Sequence, residues 1–485
     1  MFFSSVAYLL FLLIATIGLY LLPGRFQWIW LLVCSIFFYY TLLPAYLILF
    51  VALILLNYFL GIAIENSLAK NKSVFVIGIL SNVIVLAFFK YIGLIESLYK
   101  SKRLLFVTDP LLKIILPIGL SFFIFTVLSY LIEIRRGKIR AERHLGIFAT
   151  SLLFFPKIMQ GPIEKPEKIL PQFKKEKIFS YDMLGDGLKL IIWGYFKKLV
   201  IADRIALYVN AVYGNYEFHN SLSLMIATIL YSIQIYADFS GYTDIALGSA
   251  RLLGFNLTNN FNRPYFATSI KEFWNRWHIS FSVWLRDYLF LPLAFSFAGK
   301  MNKPGYFGLT VDKWIFMFAS MITFAICGIW HGEGLNFLVW GLLFGIYLTI
   351  ANWTLDLNKR IRKRFHISKK SIPYIIYGIL STFILVSFAW IFFRADTFDE
   401  AIEIIHRILT VRGGALFMDY EVFFAAAIGI GVLFAREFFE EFLPSKHNQL
   451  FNRHVLLRLF SYALIAACII LLGVLDSNQF IYFQF

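Results

Sequence analysis

The stretch MITFAICGIWHGEGLNFLVWGLLFGIYLTI, residues 321–350, places one histidine and one glutamate between two long apolar runs. The runs cover residues 312–330 and 335–353. Each is close to the ~20 residues that an α-helix needs to cross the hydrocarbon core of a bilayer. Neither run alternates apolar and polar residues, as the strands of a transmembrane barrel would. The stretch therefore predicts two membrane-spanning helices joined by a short turn that contains His331 and Glu333.

The whole chain has the composition of a membrane protein. Of its 485 residues, 60% are hydrophobic and only 15% are charged, whereas soluble domains carry about 25% charged residues. Further apolar runs lie at 5–22, 28–62, 74–94, 113–134, 186–213, 222–237, 372–393, 421–437 and 456–474. With 28–62 counted as two helices, we predict an all-α, polytopic integral membrane protein with roughly eleven or more transmembrane helices.

Two shorter apolar stretches, 146–160 and 284–298, are candidate half-spans. The stretch 255–300 carries too many charges for a simple span and is predicted to lie in the membrane plane or to re-enter the membrane. No internal repeat, low-complexity tract or Gly/Ser linker divides the chain. We therefore predict one integral domain over 1–485, which consists of N-terminal helices (1–110), a core (111–355) and C-terminal helices (356–485).

Most of the net charge of +16 comes from basic clusters that lie between the apolar runs, at 135–143, 157–177 and 356–370. Basic loops of a membrane protein face the cytoplasm, where they also meet anionic lipid headgroups. No basic surface domain is left once the spans are removed, so we expect no nucleic-acid partner. The first charge, Arg25, follows the first run, which predicts an N-terminus on the outer side.

The cysteines and the polar turn do not indicate a metal site. The three cysteines, Cys34, Cys327 and Cys468, lie in apolar runs, where they are expected to be small buried hydrophobes rather than disulfide partners or ligands. His331 and Glu333 are two residues apart, which is the wrong spacing for a helical zinc pair. The chain also has no Walker A, Gly-x-Ser-x-Gly or His-Glu-x-x-His motif.

The first polar block near predicted membrane depth is QIYADFSGYTDIALGSARLLGFNLTNNFNRPY, residues 234–265. In it, Asp238 and Asp244 flank Ser240 and a glycine, and Tyr242 lies between them. One interpretation is that Gly241 breaks the helix and that the carboxylates and tyrosines line a cavity. The other is that the helix ends here and is capped as it enters water. The residues alone leave both open.

The second polar block is SIKEFWNRWHISFSVWLRDYLFLPL, residues 269–293. Bulky aromatic residues alternate here with charged ones, as they do in the headgroup zone of a membrane. Interfacial anchoring is therefore the interpretation that composition favours, with His278 as a hydrogen-bonded interface residue.

His331 also has two interpretations. A lone histidine at a helix junction is more often structural than catalytic. However, a neutral imidazole has a reference pKa of about 6.5 and accepts protons near neutral pH. In a dry site it would remain neutral, and it is the natural general base for activating a hydroxyl.

Several stretches together resemble the membrane-bound O-acyltransferase family, in its bacterial branch typified by alginate O-acetylation. They are LPIGLSFFIFTVLSYLIEIRRG (116–137), FFPKIMQGPIEKPEKILPQF (154–173), KKLVIADRIA (197–206), residues 234–265 and 269–293, GIWHGEGLNFLVWG (328–341), WIFFRADTFDEA (390–401) and QFIYFQF (479–485). The FWNRWHISFSVWLRDYL segment is the most specific of them.

The resemblance implies a ring of helices around a tunnel, with two funnels that meet at a histidine. It implies that His331 is the catalytic base and that His278 lines the site or assists. By position in the matching blocks, the oxyanion stabilisers would be Asn275, Arg276 and Trp330. The other implied site residues line the tunnel or bind substrate; they are Asp238, Ser240, Tyr242, Asp244, Trp274, Glu333 and Asn336. For Glu333 and Asn336, helix capping is the favoured alternative.

The implied reaction moves an acyl group, acetyl first, from a cytoplasmic thioester such as acetyl-coenzyme A to a hydroxyl acceptor, which leads to O-acetylation of a surface polysaccharide. No bound cofactor is expected. The implied surroundings are the bacterial inner (cytoplasmic) membrane with its lipid, and an extracytoplasmic, esterase-like acetyltransferase as partner protein. The basic loop 157–177 would attract the donor's phosphates or an acidic carrier. The alternatives are D-alanyl transfer to teichoic acid, and a non-enzymatic transporter or scaffold of a polysaccharide export complex.

Overall fold

The structure is a computed structural model that describes residues 1–3, 5–67, 72–101, 116–301, 304–443 and 454–474. Two sequence predictions fall partly or wholly outside these residues. The family-like ending at 479–485 lies outside them, and so does the start of the apolar run predicted at 113–134.

The chain divides into two compact units. The first comprises Met1–Ile191 and Tyr242–Thr258, and the second comprises Ile192–Gly241 and Asn259–Phe485. Both are helical, and the strands in the described residues form one two-stranded antiparallel hairpin in the second unit. The single domain over 1–485, with its internal boundaries at 110 and 355, stays a prediction.

The first unit contains short and long helices of the N-terminal half. They are α1 (Val6–Leu21), α2 (Gly24–Tyr40), α3 (Leu47–Asn66), α4 (Ser73–Ser101), α5 (Leu120–Arg135), α6 (Leu145–Leu153), α7 (Phe155–Ile158), α8 (Pro166–Phe173) and the first part of α9 (Tyr181–Tyr195). Helix α1 begins where the Ser5 side chain accepts a hydrogen bond from the backbone N–H of Tyr8. Prolines begin α8 and precede α2, as is usual at helix starts, where the backbone N–H has no intrahelical partner.

Buried aromatic rings form the centre of the first unit. The ring of Phe3 stacks on that of Tyr242 with centroids 4.7 Å apart and lies 4.5 Å from that of Tyr8. Phe38 packs against Phe3 and Tyr8 at 5.7 and 5.8 Å. The Tyr8 hydroxyl donates to the Ser249 hydroxyl at 2.7 Å, so the polar end of this buried ring is satisfied.

The second unit contains the rest of the helices. A π-helical segment, Phe196–Ala202, joins α9 to α10 (Asp203–Tyr213). There follow α11 (Ser221–Leu252), α12 (Ile270–Arg276), α13 (Ile279–Leu285), a π-helical segment (Arg286–Phe290), α14 (Leu291–Ala298), β1 (Gly305–Tyr306), β2 (Leu309–Thr310), α15 (Val311–His331), α16 (Leu335–Trp353), α17 (Leu355–Arg364), α18 (Ile372–Arg394), α19 (Phe398–Thr410), α20 (Tyr420–Phe442) and α21 (Val455–Leu472). The chain passes from this unit to the first within α11.

Seven helices of the described residues are long and apolar enough to cross a membrane. They are Pro44–Asn66, Ser73–Ile92, Ser221–Leu252, Val311–His331, Leu335–Trp353, Ile372–Arg394 and Tyr420–Phe442. Val6–Leu21 and Arg458–Leu472 are apolar but shorter. The all-α, multi-span prediction is therefore confirmed. The predicted number of transmembrane helices, roughly eleven or more, is larger because it included shorter or more polar helices, such as α2 with its 17 residues and α5 with its 16.

Helix α11 continues without interruption past Gly241 and ends at Leu252, so the interpretation of Gly241 as a helix break is wrong. The alternative, a helix end that enters water, is also wrong, because Asp238 lies inside the helix and is 2% exposed. Gly241 serves close packing instead. A Cβ added to it would lie 2.8 Å from the carbonyl oxygen of Gly194 and 3.1 Å from the backbone nitrogen of Lys198. The glycine thus allows α11 to touch the backbone of the π-helical region.

Helices α15 and α16 form a close antiparallel hairpin. A Cβ added to Gly341 would lie 2.1 Å from the carbonyl oxygen of Phe324, and one added to Gly328 would lie 2.3 Å from that of Phe337. Small residues let two membrane helices approach backbone to backbone, where packing replaces the hydrophobic effect as the source of stability. The hairpin fixes its connecting turn, and with it the position of His331 at the end of α15.

Candidate active site

His331 is the last residue of α15 and is only 4% exposed. Aromatic rings surround its imidazole, with centroids at 4.4 Å for Trp330, 4.8 Å for Trp340 and 5.1 Å for Phe393. Such aromatic walls limit the access of water to the ring. A neutral imidazole in this position can accept a proton from a hydroxyl group.

His278 lies at the junction of α12 and α13 and is 2% exposed. Its backbone is in the left-handed region, with φ at 43°, which is uncommon for a residue other than glycine. The ring of His278 contacts those of Phe239 and Phe281, with centroids at 4.8 and 5.0 Å. Burial lowers the pKa of His278 to about 3. It is therefore neutral at physiological pH, in a conformation that the surrounding packing holds in place.

One ring connects the two histidines. The centroid of Phe281 lies 5.0 Å from that of His278 and 6.3 Å from that of His331. Phe281 also packs on Trp330 at 4.6 Å. The structure thus brings both motif histidines to a common aromatic neighbour, although they are 53 residues apart in the chain (331 − 278).

A wall of tryptophans extends from His331. Trp340 stacks on Trp390 at 5.8 Å, and Trp390 contacts Trp277 at 5.3 Å. Trp274, which was predicted to line the site, packs against Trp340 at 6.2 Å. Four of these aromatic residues were not predicted as site residues, namely Trp340, Phe281, Trp390 and Phe393. All four lie in the stretches that carry the family resemblance, which could have identified them.

Arg276 and Asn275, the two polar residues of α12 that were predicted to stabilise the oxyanion, have different surroundings. Arg276 donates to Glu272 at 2.7 Å and to both oxygens of Glu441 at 2.8 and 3.0 Å. Arg263 adds a bond to Glu441 at 2.7 Å. Asn275 is exposed. The guanidinium of Arg276 is thus held in a network of carboxylates, and the oxyanion role implied for Asn275 and Arg276 stays a prediction.

Asn336 and Glu333 do not cap α16. The N-cap residue is Gly334, without a side-chain cap bond, so the favoured capping prediction is wrong. The fully buried amide of Asn336 instead donates to the carbonyl oxygens of Phe392 and Ala395 at 3.2 and 2.8 Å. These two bonds tie the start of α16 to the end of α18, and Asn336 is the second residue inside the helix rather than its N-cap. Glu333 is exposed in the turn.

Asp238 and Ser240 belong to a buried charge cluster of the second unit. Lys198 forms ion pairs with Asp203 at 2.7 Å and with Asp238 at 2.8 Å, and these side chains are at most 5% exposed. Ser240 accepts a hydrogen bond from Lys197 at 2.9 Å. Buried charges need such partners, because an uncompensated one is very costly.

Tyr242 and Asp244 belong to the first unit. The Tyr242 hydroxyl contacts the sulfur of Met159 at 3.1 Å and is buried, whereas Asp244 is half-buried. Their implied tunnel-lining role stays a prediction, as does that of Asp238 and Ser240. Among the described residues, no group of three or more His, Cys, Asp or Glu side chains could hold a metal ion.

The chain is similar to several characterised groups of enzymes. The sequence profile of the membrane-bound O-acyltransferase family matches residues 148–393, a range that includes both histidines. The chain is 32% identical over 83% of its length to the "Probable alginate O-acetylase" of Pseudomonas putida, of which it covers 79%. It is 31% identical over 81% of its length to the "Peptidoglycan O-acetyltransferase" of Helicobacter pylori, of which it covers 75%.

A third relative matches a smaller part of the chain. The "Teichoic acid D-alanyltransferase" of Bacillus subtilis is 28% identical over 50% of this chain, which covers 61% of that protein. The profile match, together with the long matches at 30% identity or more, shows that the chain is a multi-pass membrane protein and belongs to the membrane-bound O-acyltransferase family.

Proposed function

We propose that the acyl group moved by this O-acyltransferase is acetyl, and that its transfer leads to O-acetylation of a surface polysaccharide. The buried imidazole of His331, at the end of a fixed helix hairpin, is the observation that carries the proposal. The names of the relatives that match most of the chain, an alginate O-acetylase and a peptidoglycan O-acetyltransferase, support acetyl transfer to a glycan.

The proposed reaction begins with proton transfer. The neutral imidazole of His331 takes the proton of the acceptor hydroxyl, and the oxygen forms a bond to the acyl carbonyl carbon. The carbonyl electrons move to oxygen and then return as the carbon–sulfur bond breaks. The imidazolium gives its proton to the departing thiolate, so His331 is neutral again. The aromatic walls support this cycle because they exclude water, which would otherwise compete as acceptor.

The developing oxyanion needs hydrogen-bond donors. Trp340 has its ring centroid 4.8 Å from that of His331 and is 1% exposed. Within the described residues, its indole N–H has no hydrogen-bond acceptor, and neither has that of Trp274. Trp340 is therefore the donor that the geometry supports best, beside Trp330, which the family resemblance implies. Arg276 is less well suited because Glu272 and Glu441 hold it.

We assign a positioning role to His278. The ring of His278 contacts that of Phe281, and the ring of Phe281 also contacts those of His331 and Trp330. The left-handed backbone at His278 turns the chain from α12 into α13 and so aims the ring at Phe281. The side chain that reaches the reacting atoms in the proposed cycle is His331.

The donor, the partner and the membrane are part of the proposal. We infer a cytoplasmic thioester, acetyl-coenzyme A in the first place, as co-substrate with no permanently bound cofactor. The location would be the bacterial inner membrane, and an extracytoplasmic, esterase-like acetyltransferase would pass the acetyl group to the polysaccharide. D-alanyl transfer to teichoic acid is the second candidate, since a D-alanyltransferase matches half of the chain. A transporter or scaffold role is the non-enzymatic alternative, and membership of an acyltransferase family disfavours it.

The test is the amount of ester-linked acetate on purified surface polysaccharide, measured by NMR. Cells would carry the wild type, a deletion, His331→Ala, or His406→Ala as a matched control, all at equal membrane abundance. His406 lies on the surface of α19 and is 63% exposed, so its loss should leave acetate unchanged.

Loss of acetate in the deletion and in His331→Ala alone would support the acetyltransferase and its base. Full acetate in His331→Ala would overturn the catalytic assignment of His331. Full acetate in the deletion strain, with loss of D-alanine esters from teichoic acid, would replace the first candidate with the second.

A further inference from the structure

The first unit contains a cavity whose lining includes none of the residues that the proposed reaction cycle uses. It has a volume of about 600 Å³ and lies where the start of α2 meets the segment that follows α8. Four cations line it, namely Arg25, Lys174, Lys175 and Lys177, together with the carboxylate of Glu176. Lys174 also forms an ion pair with Glu142 at 2.7 Å. Four cations against two carboxylates leave the cavity with an excess of positive charge, which favours an anionic ligand.

One wall of the cavity is held in place by buried contacts. Gln27, which is 5% exposed, accepts a hydrogen bond from the backbone N–H of Lys177 at 2.7 Å and donates to its carbonyl oxygen at 3.0 Å. The ammonium group of Lys177 lies 3.8 Å from the centroid of the Phe255 ring. Burial and the nearby charge of Lys175 lower the pKa of Lys177 to about 8. The Phe255 ring holds the ammonium group in place, whereas burial and Lys175 disfavour its charge, and a bound anion would compensate for that.

The rest of the lining and the flanking segments are apolar. Trp28, Leu31 and Phe173 also line the cavity. Beside the lining residues in sequence, Leu21, Ile178 and Tyr181 are 78%, 79% and 82% exposed. Exposed aliphatic and aromatic side chains next to cations are typical of the headgroup zone of a membrane, where they contact acyl chains.

The predicted orientation puts this cavity on the side where anionic lipids are enriched. Arg25 follows the first apolar run, and Lys174–Lys177 belong to a basic loop that the positive-inside rule assigns to the cytoplasm. Basic pockets on the cytoplasmic side of membrane helices bind the headgroups of anionic lipids. A soluble phosphate compound would match the charge of the cavity but would leave the flanking apolar side chains uncovered.

We propose that this cavity binds the phosphodiester headgroup of an anionic phospholipid. Arg25 and Lys177 contact the phosphate, and Leu21 and Ile178 contact the acyl chains. Arginine suits this role because its planar guanidinium donates two parallel hydrogen bonds to phosphate oxygens. The proposal does not depend on the acyl group or the acceptor of the reaction.

The experiment is a titration of the purified full-length protein, in neutral detergent, with phosphatidylglycerol or phosphatidylcholine, followed by native mass spectrometry. Arg25→Ala and Lys177→Met should each weaken phosphatidylglycerol binding about fivefold, which corresponds to ~1 kcal/mol per cation near a membrane surface. Glu176→Gln should strengthen it, because a repelling carboxylate is lost. Lys369→Ala removes an exposed cation from the basic cluster at 356–370 and should leave phosphatidylglycerol binding unchanged.

Opposite effects of the Glu176 and Lys177 variants would support the proposal and could not arise from misfolding. Equal phosphatidylglycerol affinity in the wild type, Arg25→Ala and Lys177→Met would overturn it. Equal binding of phosphatidylcholine would also overturn it, because the charge of the headgroup would then play no part. Displacement of phosphatidylglycerol by equimolar coenzyme A, lost in the same variants, would assign the cavity to a soluble phosphate compound and not to a lipid.

Discussion

The imidazole of His331 lies against the indole of Trp340, with ring centroids 4.8 Å apart and ring planes at 83°. His331 ends α15 and Trp340 lies in α16, and the close packing of these two helices fixes the relation between them. The indole N–H is buried and has no acceptor among the described residues. A buried donor without an acceptor costs about 1–3 kcal/mol. Such a cost is expected where a substrate supplies the acceptor.

Trp340→Phe tests this donor role. The change keeps an aromatic ring beside His331 and removes the N–H. If the indole donates to the oxyanion, kcat should fall by about 10²-fold, which is typical for the loss of one such donor. KM should change little, because the bond forms mainly in the transition state. The measurement is acetyl transfer by the purified enzyme at saturating donor.

The matched control is Trp314→Phe. Trp314 lies in the same hairpin, but its indole donates to the carbonyl oxygen of Tyr306 at 3.0 Å. This variant should retain activity near that of the wild type. If Trp340→Phe raised KM and left kcat unchanged, the indole would contribute to ground-state binding, and the oxyanion assignment would be wrong.

Much of the fold could be predicted from the sequence, because hydrophobic length is a strong signal in membranes. The runs at 312–330 and 335–353 correspond to α15 and α16 within one or two residues. The error at Gly241 has a physical cause. A glycine in a helix is read as a break when only local conformational freedom is considered. Here, position 241 requires a glycine because any Cβ would lie too close to the carbonyl oxygen of Gly194. That contact cannot be seen in the local sequence.

The histidines of the site were found through short motifs, whereas their surroundings were not. His278 and His331 contact the same ring, that of Phe281, and this depends on how α12 and α13 pack on α15. Phe393 comes from α18, more than 60 residues after His331 (393 − 331). Aromatic residues are so frequent in this chain, at 19%, that composition cannot separate those at the site from those that face lipid.

His278→Asn should lower activity without changing its pH dependence. Asparagine tolerates the left-handed backbone of this position. Because the pKa of His278 is lowered to about 3, this ring stays neutral as the pH falls from 8 to 5. An acidic limb in kcat/KM over that range must therefore come from another group, such as the proposed base. We expect a reduction of about 10²-fold at every pH, because the reacting groups lose their positions, with the midpoint of the limb unchanged. A limb that disappears in the variant would show that His278 itself titrates.

Asn336→Leu should destabilise the protein and need not act on the chemistry. The leucine has nearly the same volume but leaves the carbonyl oxygens of Phe392 and Ala395 without the two donated bonds. The loss should be about 1–3 kcal/mol of unfolding free energy, seen as a lower midpoint of thermal unfolding in detergent. Asn358→Leu, at an exposed position of α17, is the control and should leave the midpoint unchanged. Normal stability with lost activity would instead assign Asn336 to substrate binding.

Lys198→Met should be among the most damaging single changes in the second unit. The lysine lies between Asp203 and Asp238 at 2.7 and 2.8 Å, and all three side chains are at most 5% exposed. Its removal takes away a buried cation that pairs with two buried carboxylates, at a cost of about 3–5 kcal/mol. The measurement is the fraction of folded protein recovered from membranes, together with the midpoint of thermal unfolding.

A second variant separates the effect of the Lys198 charge from the effect of its packing. Neutralising the partners, in the triple variant Lys198→Met, Asp203→Asn, Asp238→Asn, should restore most of the lost stability, because the two buried carboxylate charges are removed together with the cation. Lys189→Met, which breaks a surface pair with Asp186 at 3.0 Å, should cost less than about 1 kcal/mol. A triple variant no more stable than Lys198→Met would mean that the shape of the lysine, and not its charge, holds α11 against the π-helical segment.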